Sequence, residues 1–126
     1  MRDKIRVDRV VAEKIVGYCE QIEILIRRFG STFEAFNSDE AFQLSVGMCI
    51  VQIGELTKRF SDEFKARHSQ IPWQAIKAMR NVFVHEYEKV NLESAWKDLN
   101  EDVPELKAQL EQILAAEDEA NENHNE

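Results

Sequence analysis

Four glycines and two prolines in 126 residues leave most of this chain with nothing to interrupt a helix. An all-β fold needs turn residues about every 8–12 positions, and far too few are present. Across the uninterrupted stretches apolar side chains recur three or four apart, the spacing that keeps them on one helical face. Val11, Ile15, Cys19, Ile22, Ile26 and Phe29 mark a first helix from Val7 to Phe29, closed by Gly30 and Ser31. TFEAF (32–36) reads as one extra short turn. Ser38, ahead of Asp39 and Glu40, is the expected N-cap of a second helix, which carries Phe42, Val46, Cys49, Ile53 and Leu56 and ends near Lys58 and Arg59. Ser61 caps a turn within SDEFKARHSQ, and Pro72 opens a third helix at a first-turn position, with Trp73, Ile76, Met79 and Phe83 inward. That helix runs out between Glu86 and Val90. Asn91 caps a fourth, where Leu92, Ala95, Trp96 and Leu99 are apolar and Pro104 forces a kink or restart. Asp102 and Glu105 have capping-box spacing for that restart, and Leu106, Leu110 and Ile113 continue the stripe. The expected fold is all-α: an antiparallel, up-and-down four-helix bundle over residues 1–116 with an extra short turn.

Charge narrows the choice of partner. The net charge is −8, and the end EDEANENHNE (117–126) holds five acids and no Lys or Arg, which leaves −3 over residues 1–116. The end reads as a disordered acidic tail. A mildly acidic body excludes broad nucleic-acid binding, so any RNA contact has to come from a local basic patch; Lys58, Arg59, Lys77 and Lys89 are the candidates. No apolar run reaches the length of a membrane span and MRDKIRVDRV has no apolar leader core, so no membrane association and a cytoplasmic location are expected. Cys19 and Cys49 lie in apolar helical patterns with no C-x-x-C, which suits reduced core thiols. The chain has no Glu-x-x-His pair for a di-metal bundle, and neither metal nor cofactor is expected.

One stretch resists a purely structural reading. RNVFVHEY (80–87) puts a guanidinium, an amide, an imidazole and a phenol around a short apolar run. Asn81 and His85, four apart, share a helix face. Arg80 and His85, five apart, point about 140° away from one another on a regular helix. Three arrangements bring them together: the Arg80 stem reaching around, the helix distorting near His85, or a second copy supplying the partner group. The set suits metal-free RNA cleavage. Imidazole serves as base for the 2′-hydroxyl or acid for the leaving 5′-oxygen, guanidinium meets the charge of the transition state, and the amide orients phosphate or imidazole. The plainer reading has Arg80 ion-paired to Glu86 or Glu88 and His85 hydrogen-bonded at the edge of the core. His68, beside Arg67, is read as a solvated loop residue, and Trp73 and Trp96 as core. Gly47 and Gly54, seven apart, open one face of the second helix to close approach, within the chain or between copies.

The arrangement R-x4-H-x-Y at Arg80, His85 and Tyr87 resembles the signature of HepT-like HEPN-domain proteins. The likeness extends through IGEL (53–56), SDEFKARH (61–68), IPWQAIKAMRNVFVHEY (71–87) and NLESAWKDLNEDVPEL (91–106), in that order, and is clearest over about residues 42–114. It implies the toxin of a type II toxin–antitoxin pair, a metal-independent endoribonuclease that dimerises with its motifs facing a shared cleft. By position Arg80 and His85 would be the catalytic pair and Asn81 the polar residue that commonly follows the arginine, positioning the RNA phosphate; Lys77, from the basic patch, is read as helping it. Tyr87 matches the tyrosine to which a partner antitoxin, an MNT-type nucleotidyltransferase, transfers AMP. Glu55 matches the acid of the family's GE pair and would support Arg80. Glu86 departs from the glycine common between His and Tyr, and a carboxylate there opposes RNA or pairs with Arg80. The alternative is a non-catalytic helical module that partners a small nucleotidyltransferase.

Overall fold

The computed structural model describes residues 2–125. The described residues form helices and connections with no strand: α1 (Arg2–Phe29), α2 (Phe33–Ser38), α3 (Glu40–Thr57), α4 (Asp62–Arg67), α5 (Trp73–His85), a 3-10 turn (Tyr87–Lys89), α6 (Leu92–Asn100) and α7 (Asp102–Asn125). The long members α1, α3, α5 and α7 build the bundle. Cross-contacts give their directions. Asp8 of α1 meets Ser61 just beyond α3, while Phe29 at the far end of α1 stacks on Phe42, so the two helices are antiparallel. Arg9 pairs with Glu117 and Asp118, and Glu23 with Lys107, so α7 is antiparallel to α1 as well.

The expected apolar stripes make the core. Val11, Ile15, Cys19 and Ile22 of α1, Phe42, Val46, Ile50 and Ile53 of α3, and Leu106 and Leu110 of α7 are all buried. Aromatic clusters close both ends. Phe36 and Phe42 gather against Trp96 at one, and Phe60, Phe64 and Trp73 stack at the other, where the Trp73 indole N–H donates to the Lys65 carbonyl. Both tryptophans therefore serve packing. Burial pushes the Cys19 thiol up to about 12 and raises that of Cys49, leaving both unreactive.

Several boundaries differ from expectation. Ser38 closes α2, its hydroxyl bonding back to the Glu34 carbonyl, and Asp39 caps α3 by accepting from the Ala41 and Phe42 N–H groups. Two adjacent cap-forming residues compete here and the carboxylate does the capping, whereas in the matching pair Ser61 and Asp62 the hydroxyl does. Pro72 sits one place earlier than expected, at the N-cap of α5. Ser61 and Asn91 cap α4 and α6 as expected. The fourth helix is two: α6 ends at Asn100, four residues before Pro104, which has no N–H to bond that carbonyl, and α7 starts at Asp102. Residues 117–125, expected to be disordered, instead continue α7. No Gly or Pro follows Pro104, and Arg9 holds Glu117 and Asp118 from across the bundle. Among the described residues no helix is long and apolar enough to cross a membrane.

A candidate active site at the end of helix α5

Helix α5 is seated on α3 by two glycines. A Cβ on Gly47 would lie 2.9 Å from the Phe83 ring, and one on Gly54 would overlap Cβ and Cγ of Arg80. The residue numbers rise along α5 as they fall along α3, so the helices are antiparallel. The Gly47–Gly54 face is thus a seam within the chain.

This close approach lays the aliphatic stem of Arg80 flat against α3 and delivers its head group to two partners. One terminal nitrogen donates to the Asn81 side-chain oxygen at 2.9 Å, and the other is ion-paired to Glu55. Nε is buried without a hydrogen-bond partner. Glu55 also meets Lys58 at 3.4 Å, and bonding to Arg80 above all holds its carboxyl below the usual carboxylate range. Two cations thus share one carboxylate, an excess of positive charge on an otherwise acidic protein. Arg80 pairs with Glu55, and neither Glu86 nor Glu88 is its partner.

His85 is the last residue of α5 and is exposed, with Glu86 as the C-cap. The helix stays regular up to that point, so Arg80 turns to α3 while His85 faces solvent at the free end. Two of the three arrangements expected to unite them are not present within one chain: the Arg80 stem does not reach around, and no distortion precedes His85. Lys77 is exposed one turn before Asn81. Tyr87 follows in the 3-10 turn with its ring 6.5 Å from Phe83. Its hydroxyl is buried and lacks a hydrogen-bond partner. Burial, with Glu40 nearby, raises the phenol pKa. His68 is less solvated than expected. Its ring lies 4.5 Å from that of Phe64, and desolvation with neighbouring Arg67 lowers its pKa. Among the described residues no three His, Cys, Asp or Glu side chains are grouped to hold a metal ion.

Sequence reasoning missed the apolar surface around this helix end. Leu44, Met48 and Val84 are 52%, 60% and 41% exposed. Leu44, Met48, Val51 and Glu55 form one stripe along α3, and Glu55 joins it to Arg80, whose neighbour one turn on is Val84. The i, i+4 signal was legible, but it merged with the wider apolar band of α3.

A helical bundle with R-x4-H-x-Y at the end of its third long helix defines a HEPN-type domain. The chain belongs to the HepT-like family, whose model, described as Ribonuclease HepT-like, matches residues 17–113. It is 34% identical over 114 residues to "Putative RNase TTE0752" of Caldanaerobacter subterraneus subsp. tengcongensis, covering 90% of this chain and 99% of that one. It is 35% identical over 101 residues to "Probable ribonuclease HepT" of Thermococcus cleftensis, covering 80% and 90%. No solved structure matches the chain.

Proposed function

We propose that this protein is a metal-independent endoribonuclease, the toxin of a type II toxin–antitoxin pair, working as a homodimer. The observation that carries the reading is the division of labour along α5. Arg80 is fixed against α3 by Gly54, Glu55 and Asn81, while His85 stands exposed at the helix end next to Val84, and Leu44 and Met48 are exposed on α3. One chain separates its imidazole from its guanidinium. A second copy seated on the apolar surface covers Leu44 and Met48 and brings the two motifs to one cleft.

There the 2′-oxygen, losing its proton to one imidazole, attacks phosphorus. The P–O5′ bond breaks and the leaving oxygen takes a proton from the second imidazole. The products are a 2′,3′-cyclic phosphate and a 5′-hydroxyl. Arg80 meets the charge on the phosphoryl oxygens, exchanging the part-exposed Glu55 for RNA. Asn81 holds the guanidinium plane, and Lys77 adds charge along the same edge. An MNT-type nucleotidyltransferase would neutralise the toxin by complex formation, by AMP transfer to Tyr87, or by both. A phosphate two residues from His85 repels the RNA backbone.

The Arg80–Glu55 pair also supports the second reading, a non-catalytic module partnering a small nucleotidyltransferase, in which that pair is purely structural. Cleavage of a mixed RNA pool in EDTA separates the two. The ribonuclease yields cyclic-phosphate ends, and both His85→Ala and Arg80→Ala lose them with the helical circular dichroism retained. Undiminished cleavage by His85→Ala would refute the mechanism, and an inactive parent protein would move the binding module ahead.

A further inference from the structure

Three of the four glycines have a reason within the chain. Gly30 has φ 131°, Gly47 admits Phe83, and Gly54 admits Arg80. Gly17 has none. It lies inside the 28-residue helix α1, where glycine is about 1 kcal/mol less favourable than alanine, and nothing lies within 4 Å of the place a Cβ would take. It lines a groove of about 480 Å³ between α1 and α3, together with Lys14, Tyr18, Gln21, Gln52 and Arg59. Among the described residues neither Lys14 nor Arg59 forms an ion pair, and the groove holds no carboxylate.

The position of this groove ties it to the motif. Gln52 lies on α3 and Arg59 in the turn just after it, and Glu55, three residues after Gln52, is the partner of Arg80. Groove and guanidinium therefore flank one outer face of α3, a helix diameter of about 10 Å apart. Leu44 and Met48 lie nearer the start of α3, Met48 meeting Gln52 at the edge of the groove, so a copy seated on them leaves the Lys14 and Arg59 end open.

We infer that this groove is a second RNA subsite, which holds the nucleotide next to the one cut at Arg80 and His85. The inference rests on the ribonuclease reading. Lys14 and Arg59 take the phosphate, the Tyr18 ring stacks on the base, Gln21 and Gln52 offer amides to base edges, and Gly17 lets the sugar–phosphate chain approach the helix backbone.

The test is fluorescence anisotropy of a short 2′-O-methyl oligoribonucleotide, which lacks the attacking hydroxyl, so binding is read without cleavage. Gly17→Leu fills the groove, and Lys14→Ala with Arg59→Ala strips its charge. Each is expected to weaken binding about tenfold at low salt. The double variant lowers the slope of log affinity against log salt by about 0.7, for one single-strand phosphate contact. A dinucleoside phosphate that reaches only the Arg80–His85 site is cut at the parental rate. Parental affinity in both variants overturns the subsite, as does failure of the parent protein to bind the strand. A parallel change in oligomeric state overturns it too, by making the groove a seat for a second copy. If the parent binds but never cleaves, the ribonuclease reading alone falls, and the affinity ratios still judge the groove.

Discussion

Replacing Gly54 by alanine separates packing from propensity, because the two act in opposite directions there. Alanine in a helix interior is worth about 1 kcal/mol over glycine. Its methyl at Gly54, however, would overlap Cβ and Cγ of Arg80, the part of that side chain nearest its backbone and least able to swing away. Relief requires α5 to lift from α3, and with an overlap on Cβ and Cγ the cost falls in the upper part of what overpacking exacts, about 2–3 kcal/mol. The net expectation is a loss of about 1–2 kcal/mol, or a Tm lower by about 3–8 °C in a domain of this size. Gly17→Ala supplies the control on the same protein, with the propensity gain and no clash, and its Tm rises by about 2–4 °C. Differential scanning calorimetry reads both. Gly54→Ala should also reduce RNA cleavage toward the level of Arg80→Ala, since lifting α5 displaces the Arg80 head group from where the phosphate is met. A Gly54→Ala protein with the Tm and activity of its parent would refute the claim that Arg80 is set by close approach of the two helices.

Asp98, in the last turns of α6, has a carboxyl raised from 3.8 to about 6 by desolvation and by sharing a proton with Asp102. A folded-state value above the unfolded one makes its contribution to stability fullest below about pH 4 and lost as pH rises through 6. Asp98→Asn should therefore match its parent at pH 4 and exceed it by about 1–2 kcal/mol at pH 8, after allowing for partial solvent contact. Urea denaturation at the two pH values checks this, and an equal gain at both would dismiss the shared proton. Asp8, buried in α1, accepts from the backbone N–H of Ser61 at 2.8 Å and from its hydroxyl at 2.7 Å. Asp8→Ala should cost about 2–3 kcal/mol by stranding those donors, read from the same denaturation curves, and a cost near zero would mean that water takes its place.

Much of the fold follows from punctuation that has no competitor nearby. Asn91 is an isolated cap residue, and Pro104 forbids a continuous helix by clash alone; both act as expected, as does Ser61 although Asp62 follows it. Ser38 beside Asp39 shows the limit, since two cap-forming residues in a row are resolved by geometry rather than by type. The end of α7 shows another. Its composition suits disorder, but the carboxylates meeting Arg9 lie more than a hundred residues away along the chain. At the site, residue types and their helical phase are legible, which is how the 140° separation of Arg80 and His85 is visible in advance. Glu55 as the partner of Arg80, and Gly54 as the bed for its stem, needed the helix pairing. The likeness in motif pointed to Glu55, and no spacing rule linked residues 54 and 80.

If Tyr87 is modified as proposed, its hidden hydroxyl would make time, and not only affinity, a variable of control. Any enzyme that modifies this oxygen acts on the fraction of molecules in which the 3-10 turn has swung open, so the rate of modification multiplies an opening equilibrium by a chemical step. The short turn over residues 87–89 then works as a timer. Substitutions that loosen it hasten modification without touching the modifier, and those that tighten it prolong the unmodified state. Warming shifts the same equilibrium, so the interval shortens as temperature rises.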